Sequence, residues 1–473
     1  MIFNSFSFIG FFVIVWCIIA LTILFSKNVT GRNTLLLTAS YILYGSFNIS
    51  FIAILIYVTL VNYIAGVLLQ RKKNIGKVIL GITILLSLSP LFIYKYLTFI
   101  LSDILEIPDV LQTEWISNLI LPVGISFFTF QALTYTIDLY RDKVSYCKNP
   151  IDFALFVSFF PTILSGPIEK ARNLLPQIKS LHPIKWNDVT TGCSLFVWGL
   201  FKKIVIADRL ATYVDWAYTD IDYVKGGTLA LAALFYSIQI YCDFSGYSDM
   251  AVGVARCLGF QITQNFRFPY FSTSIKDFWK KWHISLTSWF TEYVYFSLGG
   301  NRVKLKTRWV FNITMVFILS GIWHGAAWNF FLWGFIHAFL YLAEHFMGLQ
   351  RKNFKINYWY LKIFSGFAIF ILVTISWVFF RIEDASTAFA ILSKICSASA
   401  CFASPGASAF TFATNIALLS VFIYFEWRLY HNNKLGDCTI SKHSHYQIAW
   451  QLSLLLMLAF FGVTSDKFVY FQF

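Results

Sequence analysis

Two histidines in this sequence stand where an imidazole ring could carry out acid–base chemistry. His324 lies in the segment SGIWHGAAW, within a stretch that has no charged residue from Val310 to Ala343. Burying a titratable ring there costs free energy unless the ring is hydrogen-bonded, and desolvation favours the neutral form that a general base needs. The segment therefore predicts a functional histidine, with a hydrogen-bonded structural histidine as the alternative. Small neighbours are expected to let a substrate approach the ring: Gly321, Gly325, Ala326 and Ala327.

His283 follows a helix-start signature in the segment STSIKDFWKKWHISLTSWF. Ser274 and Asp277 have the S-x-x-D spacing that satisfies free amides at a helix N-terminus, so we expect a helix from about 275 to 290. On that helix the large apolar residues gather on one face, and His283 lies at its shoulder. The pattern is typical of an interfacial amphipathic helix with a polar tip, and it leaves a role in chemistry open.

The composition indicates the surroundings of both histidines. The chain of 473 residues is 58% hydrophobic, 20% aromatic and 13% charged, which excludes a water-soluble globule. The net charge of +14 therefore indicates loops oriented against a lipid bilayer, and no nucleic-acid partner is expected. The eight cysteines form no CxxC pair, and the sequence has no HExxH or GxSxG motif. Neither a metal site nor a disulfide framework is indicated.

Apolar stretches of spanning length recur along the chain and predict an all-α polytopic integral membrane protein with about ten to twelve spans. The stretch 309–345 is long enough for two passes, with a turn near Gly321 and Gly325. Basic residues follow the first, third and fifth stretches, which predicts cytoplasmic loops there and an external N-terminus. The stretches are 6–25, 33–47, 51–70, 78–101, 118–137, 190–206, 227–242, 309–345, 359–380, 410–427 and 447–463.

Two regions break this pattern of plain spans. Residues 161–177 contain three prolines, which cannot continue a helix. Residues 242–301 are too polar to span a membrane and too aromatic for a free loop. We expect the second region to lie in the interface or to line a cavity.

The segments DFWKKWHISLTSWF and SGIWHGAAWNFFLWG resemble the membrane-bound O-acyltransferase family, in its bacterial alginate O-acetylase-like branch. The likeness extends to GLFKKIVIADRLA and QIYCDFSGYSDMAVGVARCLGF and covers nearly the whole chain. It implies a ring of about 10–12 transmembrane helices, with re-entrant or interfacial helices, around a central tunnel. We expect one membrane domain over 1–473, with N-terminal helices in 1–150, a catalytic core in 151–345 and C-terminal helices in 346–473.

The resemblance also implies roles for particular residues. The WHG motif makes His324 the catalytic residue, and His283 occupies a second motif position. The mechanism that we infer is acyl transfer in which His324 is the general base and His283 orients the acceptor or stabilises the oxyanion. Further candidates line the tunnel, although the polar ones among them are as readily explained by snorkelling at the interface: Asp243, Ser245, Lys280, Trp282, Arg302 and Trp323. Asp208 beside Arg209 is read as an interfacial charge cluster, with a role at the site left open.

The expected function is transfer of an acetyl or other acyl group from a cytoplasmic thioester donor, acetyl-CoA or an acylated carrier, with no bound cofactor. The acceptor is an exported polysaccharide, alginate-like, or a secreted acetyltransferase partner, and the location is the bacterial cytoplasmic membrane. D-alanyl transfer, or acyl transfer to peptidoglycan or cellulose, is the alternative on the same fold. A transporter or flippase of a glycan precursor is the competing class, for which inverted repeats and charged residues in mid-span are expected.

Overall fold

The computed structural model describes residues 1–107, 116, 119–219, 221–350, 358–397, 409–432 and 444–463. These residues form helices and no β-strand, so the all-α fold class is confirmed. Their contacts divide the chain into two compact units, residues 1–196 with 248–263 and residues 197–247 with 264–473.

The helices of the first half of the chain are α1 (Phe6–Phe25), α2 (Val29–Gly45), α3 (Ile49–Arg71), α4 (Gly76–Leu91), α5 (Leu97–Phe99), α6 (Ile125–Tyr140), α7 (Pro150–Ser158), α8 (Phe160–Ile163), α9 (Ala171–Lys179), α10 (Trp186–Leu200), α11 (Asp208–Thr219) and α12 (Gly226–Cys257). The second half contains α13 (Ile275–Lys281), α14 (Ile284–Trp289), α15 (Lys306–His324), α16 (Trp328–Phe346), α17 (Trp359–Arg381), α18 (Ala385–Cys396), α19 (Ala409–His431) and α20 (Ser444–Phe461). Wider π-helical turns occur at Phe92–Tyr96, Ile100–Ile104, Phe201–Ala207 and Phe290–Tyr295.

Six helical segments in the described part of the chain are long and apolar enough to cross a membrane. The multi-pass membrane character predicted from composition is thereby confirmed, while the ring and its central tunnel stay predictions. The six are Phe6–Phe25, Ile49–Arg71, Lys73–Ile104, Trp186–Thr219, Gly226–Cys257 and Trp359–Arg381.

Several predicted boundaries differ from the structure. The stretch 118–137 becomes a helix only at Ile125, since Pro122 and Gly124 form a turn before it. The stretch 190–206, weakened in the sequence by two lysines, is part of a continuous helical segment, because those lysines are bonded inside the protein. The long stretch 309–345 does divide into two helices, and the turn after His324 confirms that prediction.

The proline-rich break lies in the first unit and is buried. Between α8 and α9 the chain leaves the helical conformation, and the side chain of Gln131 on α6 accepts a hydrogen bond from the backbone N–H of Glu169 at 3.1 Å. Thr134 on the same helix accepts from the backbone N–H of Ala171 at 3.1 Å. Irregular backbone inside a membrane protein is tolerated where protein groups satisfy it. The predicted break at 161–177 is confirmed only for residues 164–170, whose backbone finds partners on α6. It is wrong for its two ends, since Pro161 lies in the first turn of α8 and Pro176 lies inside α9.

The second predicted break starts later in the chain than the sequence indicates. The segment YCDFSGYSDM was expected to leave the helix at residue 242, but α12 continues to Cys257. Two of its polar side chains are buried and bonded: Asp243 pairs with Lys203 at 2.7 Å, and Ser245 accepts from Lys202 at 2.9 Å. The mean hydropathy of the segment counts such residues as polar whether or not they are paired. Because they are paired here, a continuous helix can carry them in a buried position.

Glycines set the close approach of α15 and α16. A Cβ atom added at Gly321 would lie 2.2 Å from the carbonyl oxygen of Phe330, and one added at Gly334 would lie 2.5 Å from that of Phe317. Small residues that let two backbones meet are typical of helix packing in membranes. The glycines beside His324 were expected to leave room for a substrate, but for Gly321 and Gly325 that is wrong, because Phe330 fills the space at both.

We expect Gly321→Ala to lower the thermal midpoint of the detergent-solubilised protein, because the new methyl group must push α15 and α16 apart. Overpacking of this kind costs about 1–3 kcal/mol. Gly81→Ala in α4 is the matched control, since nothing lies within 4 Å of a Cβ there. Equal midpoints for the two variants, measured by a fluorescence melt, would contradict the packing described.

Candidate active site

His324 is the last residue of α15 and is 4% exposed. Gly325 leaves the helical conformation directly after it, so the ring lies at the point where the chain turns towards α16. Edge-to-face aromatic contacts surround the ring: Trp323 at 5.0 Å, Trp333 at 5.3 Å and Phe380 at 5.3 Å between ring centroids. These contacts fix the ring in an apolar setting and limit its access to water.

His283 lies between two short helices rather than inside one. The predicted helix from 275 to 290 is wrong in this respect, because α13 ends at Lys281 and α14 begins at Ile284. His283 has a φ of +42°, a left-handed conformation that an uninterrupted helix cannot contain. The predicted cap at the start is confirmed, since Ser274 accepts from the backbone N–H of Asp277 at 3.0 Å.

The polar partner of this break is Asn265. Its backbone carbonyl accepts from the N–H of Ile284 at 2.8 Å, and its side-chain oxygen accepts from the N–H of Ser285 at 3.2 Å. Because these amides follow His283 directly, Asn265 fixes the turn that presents the imidazole ring. No motif or hydrophobic period in the sequence points to Asn265, so the sequence did not predict this residue as part of the site.

The structure brings the two predicted histidines together across 41 positions of sequence. Their ring centroids are 6.4 Å apart, and the ring of Trp323 lies 6.0 Å from that of His283. At this separation the ring nitrogens are too far apart for a direct hydrogen bond, and a hydroxyl group could lie between them. Two imidazoles at such spacing are able to hold one reacting group from two sides.

Burial determines the charge of His283. The side chain is 1% exposed, and this desolvation lowers the pKa of His283 to about 3. The residue lies between α13 and α14, neither of which is long enough to span a membrane. The ring is therefore neutral at physiological pH, and one of its nitrogens donates while the other accepts.

An aromatic cluster supports the site from behind. The ring of Trp333 contacts both His324 and His337, at 5.3 Å and 4.8 Å. His337 is fully buried and is hydrogen-bonded to the Ser376 hydroxyl at 3.0 Å, which is the arrangement of a structural histidine. Asn329 donates to the backbone carbonyl of Phe379 at 3.2 Å and so holds the end of α17. Phe380, which contacts His324, follows directly.

A cavity of about 350 Å³ lies in the second unit, and neither histidine is among its lining residues. It reaches Ser320, one turn before His324 on α15, and Thr287, one turn after His283 on α14. Both charged residues of its lining are lysines, Lys276 and the exposed Lys280. The remaining lining is mainly aromatic or apolar: Trp279, Phe290, Thr291, Tyr295, Ile313, Val316, Phe317 and Tyr341.

Of the further residues predicted from the sequence, Lys280 alone lines this cavity, and Arg302 is exposed in the loop before α15. Asp243 pairs with Lys203, and Ser245 accepts from Lys202 at 2.9 Å. Trp282 packs against Trp377 at 4.9 Å, and Trp323 lies beside both histidines. Their roles in binding stay predictions.

The family comparison can be set against this geometry. The model described as "MBOAT, membrane-bound O-acyltransferase family" matches residues 36–380 of the chain, a range that contains both histidines and ends at Phe380. The chain belongs to the membrane-bound O-acyltransferase family. The resemblance predicted from its sequence segments is confirmed, and the protein is an O-acyltransferase of the membrane.

Three relatives of this O-acyltransferase illustrate what the family transfers. The protein named probable alginate O-acetylase AlgI, from Azotobacter vinelandii, is 36% identical over 76% of this chain and 71% of its own length. The peptidoglycan O-acetyltransferase of Helicobacter pylori is 33% identical over 78% of this chain and 74% of its own. The teichoic acid D-alanyltransferase of Bacillus subtilis is 32% identical over 62% of this chain and 74% of its own. All three are named for acyl transfer, which does not favour the transporter alternative.

The left-handed backbone at His283 leads to a stability prediction for the O-acyltransferase. Asparagine adopts this conformation readily, whereas a β-branched residue does so only with strain. We expect His283→Asn to keep a thermal midpoint close to that of the unmodified protein. His283→Val should lower the free energy of unfolding relative to His283→Asn by about 1–3 kcal/mol. A melt in detergent checks the order, and equal midpoints would contradict the turn.

Proposed function

We propose that this protein transfers an acetyl group from a cytoplasmic thioester donor across the bacterial cytoplasmic membrane for O-acetylation of an exported, alginate-like polysaccharide. The observation that carries the proposal is the pair of buried histidines, His283 and His324, with ring centroids 6.4 Å apart. The relatives named alginate O-acetylase and peptidoglycan O-acetyltransferase support acetyl as the group and a surface polymer as the final acceptor.

His324 is the general base of the proposed reaction. The neutral ring takes the proton from the acceptor hydroxyl while that oxygen forms a bond to the thioester carbonyl carbon. The carbon–sulfur bond then breaks, and the departing thiolate receives the proton from His324. The products are an ester and a free thiol, so the reaction is balanced without any further reactant.

His283 acts on the other side of the reacting group. As a neutral imidazole it presents one N–H, which suits donation to the carbonyl oxygen as negative charge develops there. A donor that is fixed in advance by Phe244 and Trp323 needs little reorganisation in the transition state. General-base catalysis supplies roughly 10²- to 10⁴-fold, so positioning of this kind must supply a large further part of the acceleration.

The cavity lined by Lys276 and Lys280 suits the arm of the acyl donor. Its volume of about 350 Å³ lies at the lower end of the about 300–1,000 Å³ found for ligand pockets. Acetyl-CoA and an acylated carrier share a phosphopantetheine arm, whose phosphate would meet Lys276 and Lys280 while the thioester end enters the aromatic interior. Trp279 lines the cavity and contacts Trp333 at 5.8 Å, and Trp333 contacts His324.

The acceptor at the far side is either the polysaccharide itself or a secreted acetyltransferase partner that completes the ester. The teichoic acid D-alanyltransferase supports D-alanine as the alternative acyl group, and the peptidoglycan enzyme supports another polymer. Incubation of the purified chain with acetyl donor and polymer separates these acceptors. Quantitative esterification by the chain alone would exclude the need for a partner.

We expect His324→Ala to remove ester-linked acetyl groups from the cell-surface polysaccharide, because a general base is worth roughly 10²- to 10⁴-fold in rate. The measurement is acetyl content in strains whose membrane levels of the protein are matched by blot. His182→Ala is the control, since this exposed histidine lies in the other unit and bonds Ser180.

Loss of acetyl in His324→Ala at normal abundance, with His182→Ala unchanged, is the expected result. Unchanged acetyl in His324→Ala, where the unmodified gene is needed for acetylation, would reduce His324 to a structural residue. If acetylation does not depend on the gene at all, another acyl group or acceptor must replace the one proposed.

We expect Lys276→Gln and Lys280→Gln each to raise the KM for the donor by about twofold to fivefold, as for partly exposed charge pairs worth up to about 1 kcal/mol. The kcat should change little, because the lysines contact the arm and not the reacting atoms. Lys281→Gln is the matched control, since Lys281 pairs with Asp277 at 2.6 Å and does not line the cavity. Assays on membrane vesicles with acetyl-CoA and with an acetylated carrier identify the donor, and an unchanged KM for both would contradict this binding mode.

A further inference from the structure

A buried cluster of charges lies in the second unit, apart from the two histidines. Lys203, in the π-helical turn Phe201–Ala207, donates to Asp208 at 2.8 Å and forms an ion pair with Asp243 at 2.7 Å. All three side chains are at most 4% exposed. Removing one partner from a buried ion pair leaves an uncompensated charge, so such clusters strongly fix the elements that carry them. π-Helical turns also occur frequently at functional sites.

The cluster fixes α12 against the π-helical turn. Asp243 lies on α12, and two residues later Ser245 accepts from Lys202 of the same turn at 2.9 Å. A Cβ atom added at Gly246 would lie 2.6 Å from the carbonyl oxygen of Gly199, so the backbones touch at this point. Three contacts within four residues leave α12 no freedom to rotate or slide here.

Phe244 is the residue between these contacts, and its ring faces His283. The two ring centroids are 4.7 Å apart with an interplanar angle of 81°, an edge-to-face contact. On another side, His283 meets Trp323 at 6.0 Å. The backbone of His283 is held by the left-handed turn, but the direction of its ring depends on these two aromatic neighbours.

We propose that Lys203 and Asp243 are a positioning pair for His283. This role rests on the function proposed above for that histidine. Their ion pair sets the register of α12, and Phe244 transmits this register to the imidazole ring. Neither Lys203 nor Asp243 contacts the reacting atoms in this proposal. Asp208 binds the same lysine but lies at the start of α11, so it belongs to the cluster without carrying Phe244.

This difference between the two aspartates provides a matched experiment. Asp243→Asn and Asp208→Asn each leave one positive and one negative charge in the cluster, so the two variants change its net charge by the same amount. We expect Asp243→Asn to lower kcat by roughly ten- to hundredfold, as for a small misplacement of a reacting group. The KM for the donor should change little. Asp208→Asn should keep kcat within about twofold at equal membrane abundance and equal thermal midpoint.

Phe244→Leu keeps every charge in place and tests the second link. We expect it to lower kcat as Asp243→Asn does, and the double variant should be no worse than either single one, because both act through one contact. The proposal would be overturned if the kcat losses of Asp243→Asn and Phe244→Leu added up in the double variant. It would also be overturned if Asp208→Asn lowered kcat as much as Asp243→Asn does. If Asp243→Asn fails to fold, Phe244→Leu still decides: unmodified kcat in that variant overturns the link to His283.

The role of His283 is tested separately with His283→Gly, since glycine suits the left-handed backbone and has no side-chain N–H. If His283→Gly keeps full kcat, the proposed function of this histidine fails, and the positioning role fails with it. If His283→Gly is inactive while Asp243→Asn and Phe244→Leu have normal kcat, the positioning role alone is wrong.

Discussion

Satisfaction of polar groups inside a low-dielectric interior is the constraint on which the rest of this structure depends. At both of the breaks described, a buried side chain pairs with the backbone: Gln131 bonds Glu169 at the first break, and Asn265 bonds Ser285 at the second. An unpaired backbone group in such a place costs several kcal/mol, so each break requires its partner. Each break therefore depends on a polar residue of another segment, and the position of His283 depends on Asn265.

Charge and chemistry are separated by the same constraint. Lys203, Asp208 and Asp243 form one ionised cluster in the second unit, in which the lysine pairs with both aspartates, while the surroundings of His283 and His324 are aromatic. Ionised groups next to an imidazole would shift its protonation by direct Coulomb interaction. Aromatic rings instead fix both imidazoles by shape, and the burial that lowers the pKa of His283 keeps that ring neutral.

The sequence predicts the membrane class and the two histidines well, because composition and apolar surroundings are local properties. The residue pattern alone does not predict that His283 and His324 meet, since 41 positions separate them; the family resemblance implied it by giving both a role in one reaction. The break at His283 is also hidden, because an apolar period of 3.6 continues through the turn and carries no record of a positive φ. Conversely, the sequence of α12 looks too polar for the helix to continue past residue 242. The charge of Asp243 is visible in the sequence, but its ion pair with Lys203, forty positions earlier, is not.

The shape of the cavity bears on which acyl group the proposed reaction can use. Lys276 and Lys280 are on its lining, and aromatic side chains such as Phe290, Phe317 and Tyr341 enclose the rest of about 350 Å³. Under the proposed binding mode the donor arm occupies this cavity, and its thioester must pass Ser320 or Thr287 to reach the histidines. The backbones of α15 and α16 touch at Gly321 and Phe330, so an acyl chain cannot pass between the two helices at that contact. In the proposed reaction a short acyl group such as acetyl or D-alanyl avoids this contact, whereas a fatty acyl chain directed between the helices would require them to separate.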